Sequence, residues 1–328
     1  MAEDKKEFTT ALSQWNTSIT NLVSGDFGAV GVPFDDYSKT CAMNAVTALY
    51  GLAQRTDGVV LNKMDMSNLR EIVGQAASLK LNANAVPAEC FFQIRKKKIN
   101  GSYVDTFEMV IGSRGYESLL RNFGVNVKTV YPCWVVKEGD EFTYPKRKGL
   151  RMEPPEWEEK GLSNKAVRVV YPLMLNDGTE QYLIAEREDV RVNLFAHIRQ
   201  NMMNETFGIC DNAYKAKPEQ KQAIKEKKEE IFLQLRECKT VDEMLAVEAA
   251  RPYLSPVWQD MPEQMIVTKM CLNATKRYAK DMNALAKKSL LDTDETYKVH
   301  REEEEEEANS EEFIIDAEEV TSEESADV

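Results

Sequence analysis

The chain has 328 residues, 43% of them hydrophobic, enough for one large domain or two small ones with a true core. Its net charge of −13 lies wholly in residues 301–328, which hold fourteen acids and one arginine; the first 300 residues balance at 41 basic and 41 acidic groups. There is no apolar run of the ~18 residues a membrane span needs and no apolar signal segment, and six scattered cysteines without a CxxC point to reduced thiols in a cytosolic protein.

Residues 1–35 read as an arm that is polar, then glycine-rich (VSGDFGAVGVP), with a short helix at best before a loop. Gly25, Gly28 and Gly31 imitate a phosphate loop only superficially, because neither a GK[ST] nor a leading strand is present. CAMNAVTALYGLAQ has helical period, with Met43, Val46, Leu49, Tyr50 and Ala53 on one stripe, and MSNLREIVGQAASLKL predicts a second helix capped by Ser67. The period then changes to two. ECFFQIRKKK and YVDTFEMVIG read as strands joined by a turn at Asn100-Gly101. Gly112-Ser113-Arg114-Gly115 follows as a strand-to-helix turn, then a helix from Tyr116 to Phe123. VNVKTVYPCWVVKEGDEFTYP and KAVRVVYPLMLNDGTEQYLIAE supply further strands, the second hairpin-like across Asn176-Asp177-Gly178. From Arg187 to about Leu291 the pattern is helical. The predicted class is α+β: a mostly antiparallel sheet with hairpins packed against helices, a helical C-terminal part and a disordered acidic tail. The expected divisions are an arm (1–35), a core (36–290) and the tail (291–328).

Catalytic signatures are missing. The two histidines are His197 and His300, and no HExxH, Cys/His cluster, GxSxG or Walker sequence occurs. DTDE at 292–295 abuts the tail and reads as solvated surface. No catalytic residue, metal or cofactor is expected.

Clustered cations are present instead. Arg95, Lys96, Lys97 and Lys98 lie at the tip of the first hairpin, placed for phosphate contact or equally for protecting an exposed strand edge. In the Gly112-Ser113-Arg114-Gly115 turn, Arg114 adds a donor fork to backbone N–H groups at a helix start, with Arg121 further along; two glycines needed only for a tight turn are the plainer reading. A KH-like RNA clamp also uses GxxG, but between two helices. In MIVTKMCLNATKRYAK, helical spacing puts Lys269, Asn273, Lys276, Arg277 and Lys280 on one face without a carboxylate, opposite Val267, Met270, Cys271, Ala274 and Tyr278. Between these clusters lie Lys146, Arg147, Lys148 and Arg151 together with Tyr131, Trp134, Phe142, Tyr144 and Trp157. Cations interleaved with aromatics suit a single-strand groove, with Tyr116, Tyr131 and Trp134 as candidate stacking rings, although each ring alone serves a core as readily. The tail carries one apolar island, Phe313-Ile314-Ile315, which is either a partner-docking motif or part of a solubilising segment.

The stretch AASLKLNANAVPAECFFQI…FEMVIGSRGYESLLRNFGVNVKTVYPCWVVKEGDEF resembles the RecT family of phage-type single-strand annealing proteins. The resemblance rests on Leu79-Lys80-Leu81-Asn82, Ile111 to Gly115, Arg121 to Gly124 and Val130 to Phe142. Downstream, SPVWQDMPEQMIVTKMCLNATKRYAK brings Trp258, Met265, Lys269 and Arg277 into register, so that residues 40 to 285 are covered. Arg114 stands where lysine is common, the family's arginine pair falls near Asn273 and Ala274, and Lys215 to Glu237 is read as a variable insertion. The resemblance implies ATP-independent binding of single-stranded DNA and annealing of complementary strands in a bacterial host cytoplasm, sometimes with strand invasion. It implies as partners the annealed duplex, further copies in a ring or helical filament, a cognate phage exonuclease and the host single-strand DNA-binding protein. A metal-dependent nuclease is the rival class.

Overall fold

In the computed structural model, which describes residues 2–57, 65–99, 102–211 and 216–293, the chain divides into two compact units. One holds the residues up to Gly115 and those from Met282 on; the other runs from Tyr116 to Asp281. The class is the expected α+β, with small antiparallel sheets.

The first unit contains α1 (Ala2–Ala29), α2 (Asp36–Arg55), α3 (Met66–Ser78) and the C-terminal helix α10 (Ala284–Thr293). The arm expected as a short helix and a loop is a single 28-residue helix that runs through Gly25 and Gly28. Ile19, Val23 and Phe27, spaced i, i+4, i+8, are buried to 0%, 0% and 2% exposure. Packing of that stripe on α2 and α3 outweighs the ~1 kcal/mol that each glycine costs a helix. Asp35 caps α2 by accepting the Ser38 N–H at 2.7 Å, and Asp65 caps α3 by accepting the Ser67 N–H at 2.8 Å. The α3 cap therefore lies two residues before the expected Ser67, whose backbone is the donor instead.

Strands β1 (Cys90–Ile99) and β2 (Ser102–Ile111) pair in unbroken antiparallel register from Cys90↔Ile111 to Ile99↔Ser102; their turn, Asn100-Gly101, lies outside the described residues. Alternation buries Phe107 and Met109 on one face. The Asn68 amide of α3 donates to the Phe107 carbonyl at 3.1 Å and accepts its N–H at 2.7 Å, satisfying backbone groups on the free side of β2.

The second unit is built on β9 (Ala166–Leu175), the centre of a four-stranded antiparallel sheet. One edge of β9 carries β10 (Glu180–Glu186); along the other, β3 (Val127–Val130) and β4 (Trp134–Lys137) pair one after the other. Two small ribbons branch from it: β5 (Glu141–Thr143) with β8 (Glu156–Glu158), and β6 (Lys146–Lys148) with β7 (Arg151–Glu153). Helix α4 (Ser113–Phe123) begins in the first unit and continues into the second. After β10 come α5 (Val190–Asn201), α6 (Pro218–Glu237), α7 (Val241–Leu245), α8 (Pro256–Asp260) and α9 (Pro262–Lys276), with α9 packed on β9 and β10. Val169, Tyr171, Leu194, Ile198, Trp258, Ile266 and Met270 form the middle of the core. Arg187, buried just after β10, donates to the Ala166 carbonyl at 3.0 Å and pairs with Asp242 and Glu263 at 2.6 Å each.

His197 of α5 sits against Trp258, and its Nε2 accepts the Ser255 N–H at 3.2 Å. Burial, then the Lys269 charge, holds its pKa below the usual 6.5. The neutral ring thus favours the fold. Below that value the unfolded chain takes up the proton first, so stability is lost as the pH falls. The urea midpoint of wild-type protein is expected to drop between about pH 7 and about pH 5.5, above the range where carboxylates titrate. In His197→Gln the drop should flatten; equal slopes in both proteins would remove this role.

Candidate nucleic-acid interface

In the first unit, Arg95, Lys96 and Lys97 are exposed on β1, while the side chain of Lys98 lies outside the described residues. The hairpin carries counter-charge as well. Arg95 Nε lies 2.7 Å from Glu108 Oε2, and Lys96 stands opposite Asp105.

The expected Gly112-Ser113-Arg114-Gly115 turn is not a turn. Ser113, Arg114 and Gly115 are the first turn of α4, and only Gly112 links it to β2. The Gly112 N–H donates to the Glu89 carbonyl at 2.9 Å, so it is committed within the fold. A Cβ at position 115 would lie 2.2 Å from that same carbonyl oxygen and 2.7 Å from Ile111 Cγ2, and one at 112 would lie 2.9 Å from the Phe91 ring. The glycines let a helix start flush against another backbone. Close packing, not a ligand, accounts for both of them. Arg114 is exposed on the first turn.

In the second unit Tyr116 is buried at 6% exposure, and Lys276 Nζ sits 5.6 Å from its ring centroid. As a stacking platform it is covered by its own chain. Arg121 pairs with Glu117 at 2.8 Å, one helical turn away. Trp134 stacks on Trp157 with centroids 5.8 Å apart and lies beside Tyr182, so its neighbours are rings of the protein. Tyr131 remains 42% exposed.

The single cationic face expected from Lys269 to Lys280 is divided. Helix α9 ends at Lys276 with Arg277 as its C-cap. Lys269 lies close enough to His197 to act on its charge, Lys276 covers Tyr116, and Asn273 donates to Asn193 Oδ1 on α5 at 2.8 Å. Beyond the helix, Val125 N–H donates to the Ala279 carbonyl and Asp281 N–H to the Phe123 carbonyl, an extended pairing that removes Lys280 from the stripe. Lys280 Nζ instead donates to the carbonyls of Thr275, Lys276 and Tyr278 at 3.0, 3.1 and 3.0 Å, the first two being groups that a helix end leaves without intrahelical partners. Burial and the Lys276 charge push its pKa down to about 8.

Arg277 faces a different neighbourhood. Two adjoining depressions, of about 500 and 650 Å³, share Leu175 and Gln181 and together form a trough along β10. Arg147, Leu150 and Arg151 of the β6–β7 ribbon line one; Arg277, Tyr278 and Tyr182 line the other. Lys146 and Lys148 are exposed on the same ribbon, Lys148 paired with Glu153. Glu180 is the acid that lines the trough. Tyr182 escapes sequence reading because QYLIAE alternates like any sheet strand, and Tyr278 reads as core because helical spacing was extended past Lys276.

Among the described residues no three His, Cys, Asp or Glu side chains converge as a metal-binding group, and no helix is long and apolar enough to cross a membrane. The Phe313-Ile314-Ile315 island lies outside the described residues.

A model of the RecT family matches residues 43–311. The chain belongs to the RecT family. RecT proteins serve phage-type recombination by single-strand annealing; as a family they bind single-stranded DNA and form oligomers. No curated protein matches the chain. The RecT match includes the hairpin cations, Arg114 and the whole of the trough. It also includes Gly115, whose role in this RecT chain is steric. Gly115→Ala should cost about 1–3 kcal/mol through the clash with the Glu89 carbonyl, whereas Gly25→Ala, where a Cβ on helix α1 meets nothing within 4 Å, should not destabilise the protein. Urea unfolding of the two variants measures this, and a wild-type midpoint for Gly115→Ala would sink the packing account.

Proposed function

We propose that this RecT chain binds single-stranded DNA without a nucleotide cofactor and anneals complementary strands, with strand invasion as an extension of the same activity. The family match over residues 43–311 carries the reading. Base pairing supplies the driving free energy, about 1.4 kcal/mol per stacked step. The protein's task is to hold two backbones extended, screen their phosphates and leave base edges free. Arg147, Arg151 and Arg277 along the trough, with Lys146 and Lys148 beside it, are assigned to phosphates, and exposed Tyr131 with trough-lining Tyr182 and Tyr278 to bases. Arg95, Lys96, Lys97, Lys98, Arg114, Arg121 and Lys269 are assigned supporting phosphate contacts. Binding and self-assembly, as a ring or helical filament, belong in this reading to residues 36–290. The tail from 291 on is assigned to regulation and to docking of a host single-strand DNA-binding protein or cognate exonuclease, in a bacterial cytoplasm.

The deciding experiment mixes purified protein with two complementary oligonucleotides without ATP or metal. Faster duplex formation than in buffer is expected; cleavage on adding magnesium would favour a nuclease instead. Each of Arg147→Ala and Arg277→Ala should lower the slope of log affinity against log salt by about one. Unchanged slopes in both would withdraw their assignment.

The tail, with thirteen more negative than positive charges in residues 301–328, competes with DNA for the cations of a body that is otherwise neutral. Deleting residues 301–328 is therefore expected to tighten single-strand binding at low salt and to have little effect at high salt. Equal affinity of the two proteins at low salt would end this competition model.

A further inference from the structure

We infer that Leu150 is a wedge that enters the base stack of bound DNA. The inference rests on the DNA-binding reading above and adds to it a residue that acts on bases, not on phosphates.

Strands β6 and β7 pair as Lys146↔Glu153, Arg147↔Met152 and Lys148↔Arg151, which leaves Gly149 and Leu150 as a two-residue turn. Gly149 has φ +64°, and Leu150 is not among the residues with positive φ. A left-handed first residue followed by an ordinary second one is the type II′ pattern, whose twist matches a two-stranded ribbon. That geometry requires glycine at 149 and fixes the next residue at the apex. The residue placed there is the leucine, with 104% relative exposure.

A single exposed leucine on a protein surface is ordinary. This one differs in its surroundings. Every residue from Lys146 to Arg151 is exposed, and four of the six are cations. Alternation along the ribbon sends Lys148 and Arg151 to one face and Arg147 to the other, so cations flank the apex on both sides. Below it lies the depression of about 500 Å³ lined by Arg147, Leu150 and Arg151.

Lys148 already holds Glu153, but a protein partner covering Leu150 would have to bury Lys146, Arg147 and Arg151 or supply a carboxylate for each, a costly arrangement. A nucleic acid brings both complements at once: phosphates for the arginines and lysines, and the apolar faces of stacked bases for the leucine. Apolar side chains set among cations are known to enter base steps and unstack them. On a single strand, the same insertion would interrupt stacking and hold neighbouring bases apart. That is the extended state from which pairing with a second strand proceeds.

The test uses full-length protein at saturation and a single-stranded oligonucleotide with 2-aminopurine between two adenines. Its fluorescence rises when stacking is lost. Leu150→Ala is expected to lose roughly half or more of the rise seen with wild type, at an unchanged salt slope, while Leu150→Phe keeps it. Arg147→Ala should show the reverse: a lower salt slope and a full rise at saturation. A wild-type rise with Leu150→Ala overturns the wedge and leaves DNA binding standing. The same rise accompanied by a smaller assembly in sedimentation also overturns it, and marks Leu150 as a contact between copies. Failure of wild-type protein to bind the oligonucleotide overturns the DNA-binding reading itself.

Discussion

The second unit depends on one buried guanidinium. Arg187 is 4% exposed and reaches the start of β9 through the Ala166 carbonyl, α7 through Asp242 and α9 through Glu263. A buried cation is tolerated only with its partners in place, so this residue constrains three elements that are distant in sequence. Its Nε finds no acceptor, and both partner carboxylates stay 43% exposed, which limits the net gain in stability. Its larger consequence is geometric. Anchoring Glu263 in the first turn of α9 sets how that helix crosses β9 and β10, and hence where Arg277 emerges at its other end.

What happens at that end follows from how helices stop. The last carbonyls of α9 lack intrahelical donors, and Lys280 supplies them from beyond the helix. To do so the chain turns extended and pairs with residues 123–125, which carries Tyr278 against the Val125 carbonyl and leaves Arg277 and Tyr278 together on the trough. One lysine expected to contact DNA thus serves as a cap, and the cap places an arginine and a tyrosine side by side on the trough.

This is also where sequence reading reached its limit. Hairpins β1–β2 and β9–β10 were legible because period-two alternation and Asn/Asp-Gly turns are local signals. The end of α9 was not, since the helical spacing continues through Arg277 and Lys280 and only tertiary pairing ends the helix. Helix α1 was hidden for the converse reason: its glycines argue locally for a loop, and the burial of Ile19, Val23 and Phe27 that overrides them is non-local. Gly112 and Gly115 stand out as a pair, but spacing cannot separate glycine that admits a ligand from glycine that admits the Glu89 carbonyl. Family membership, by contrast, was legible because it is spread over many short motifs in a fixed order. Steric and capping roles sit inside those motifs beside any role in binding.

Three of the cations assigned to phosphates share a property that bears on annealing. Arg95 faces Glu108, Arg121 faces Glu117 and Lys148 faces Glu153. Each phosphate bound by one of these residues replaces a carboxylate already in contact, so the gain per contact is smaller than for an isolated cation in water. On the proposed reading, such contacts summed over many nucleotides and many copies would hold a strand through multivalency while each one exchanges readily. An annealing protein needs that balance. Strands held by strong individual contacts resist the sliding by which complementary sequences find their register, and on the proposed reading a neutral body with partly compensated cations would keep the hold weak at each nucleotide and strong along the strand.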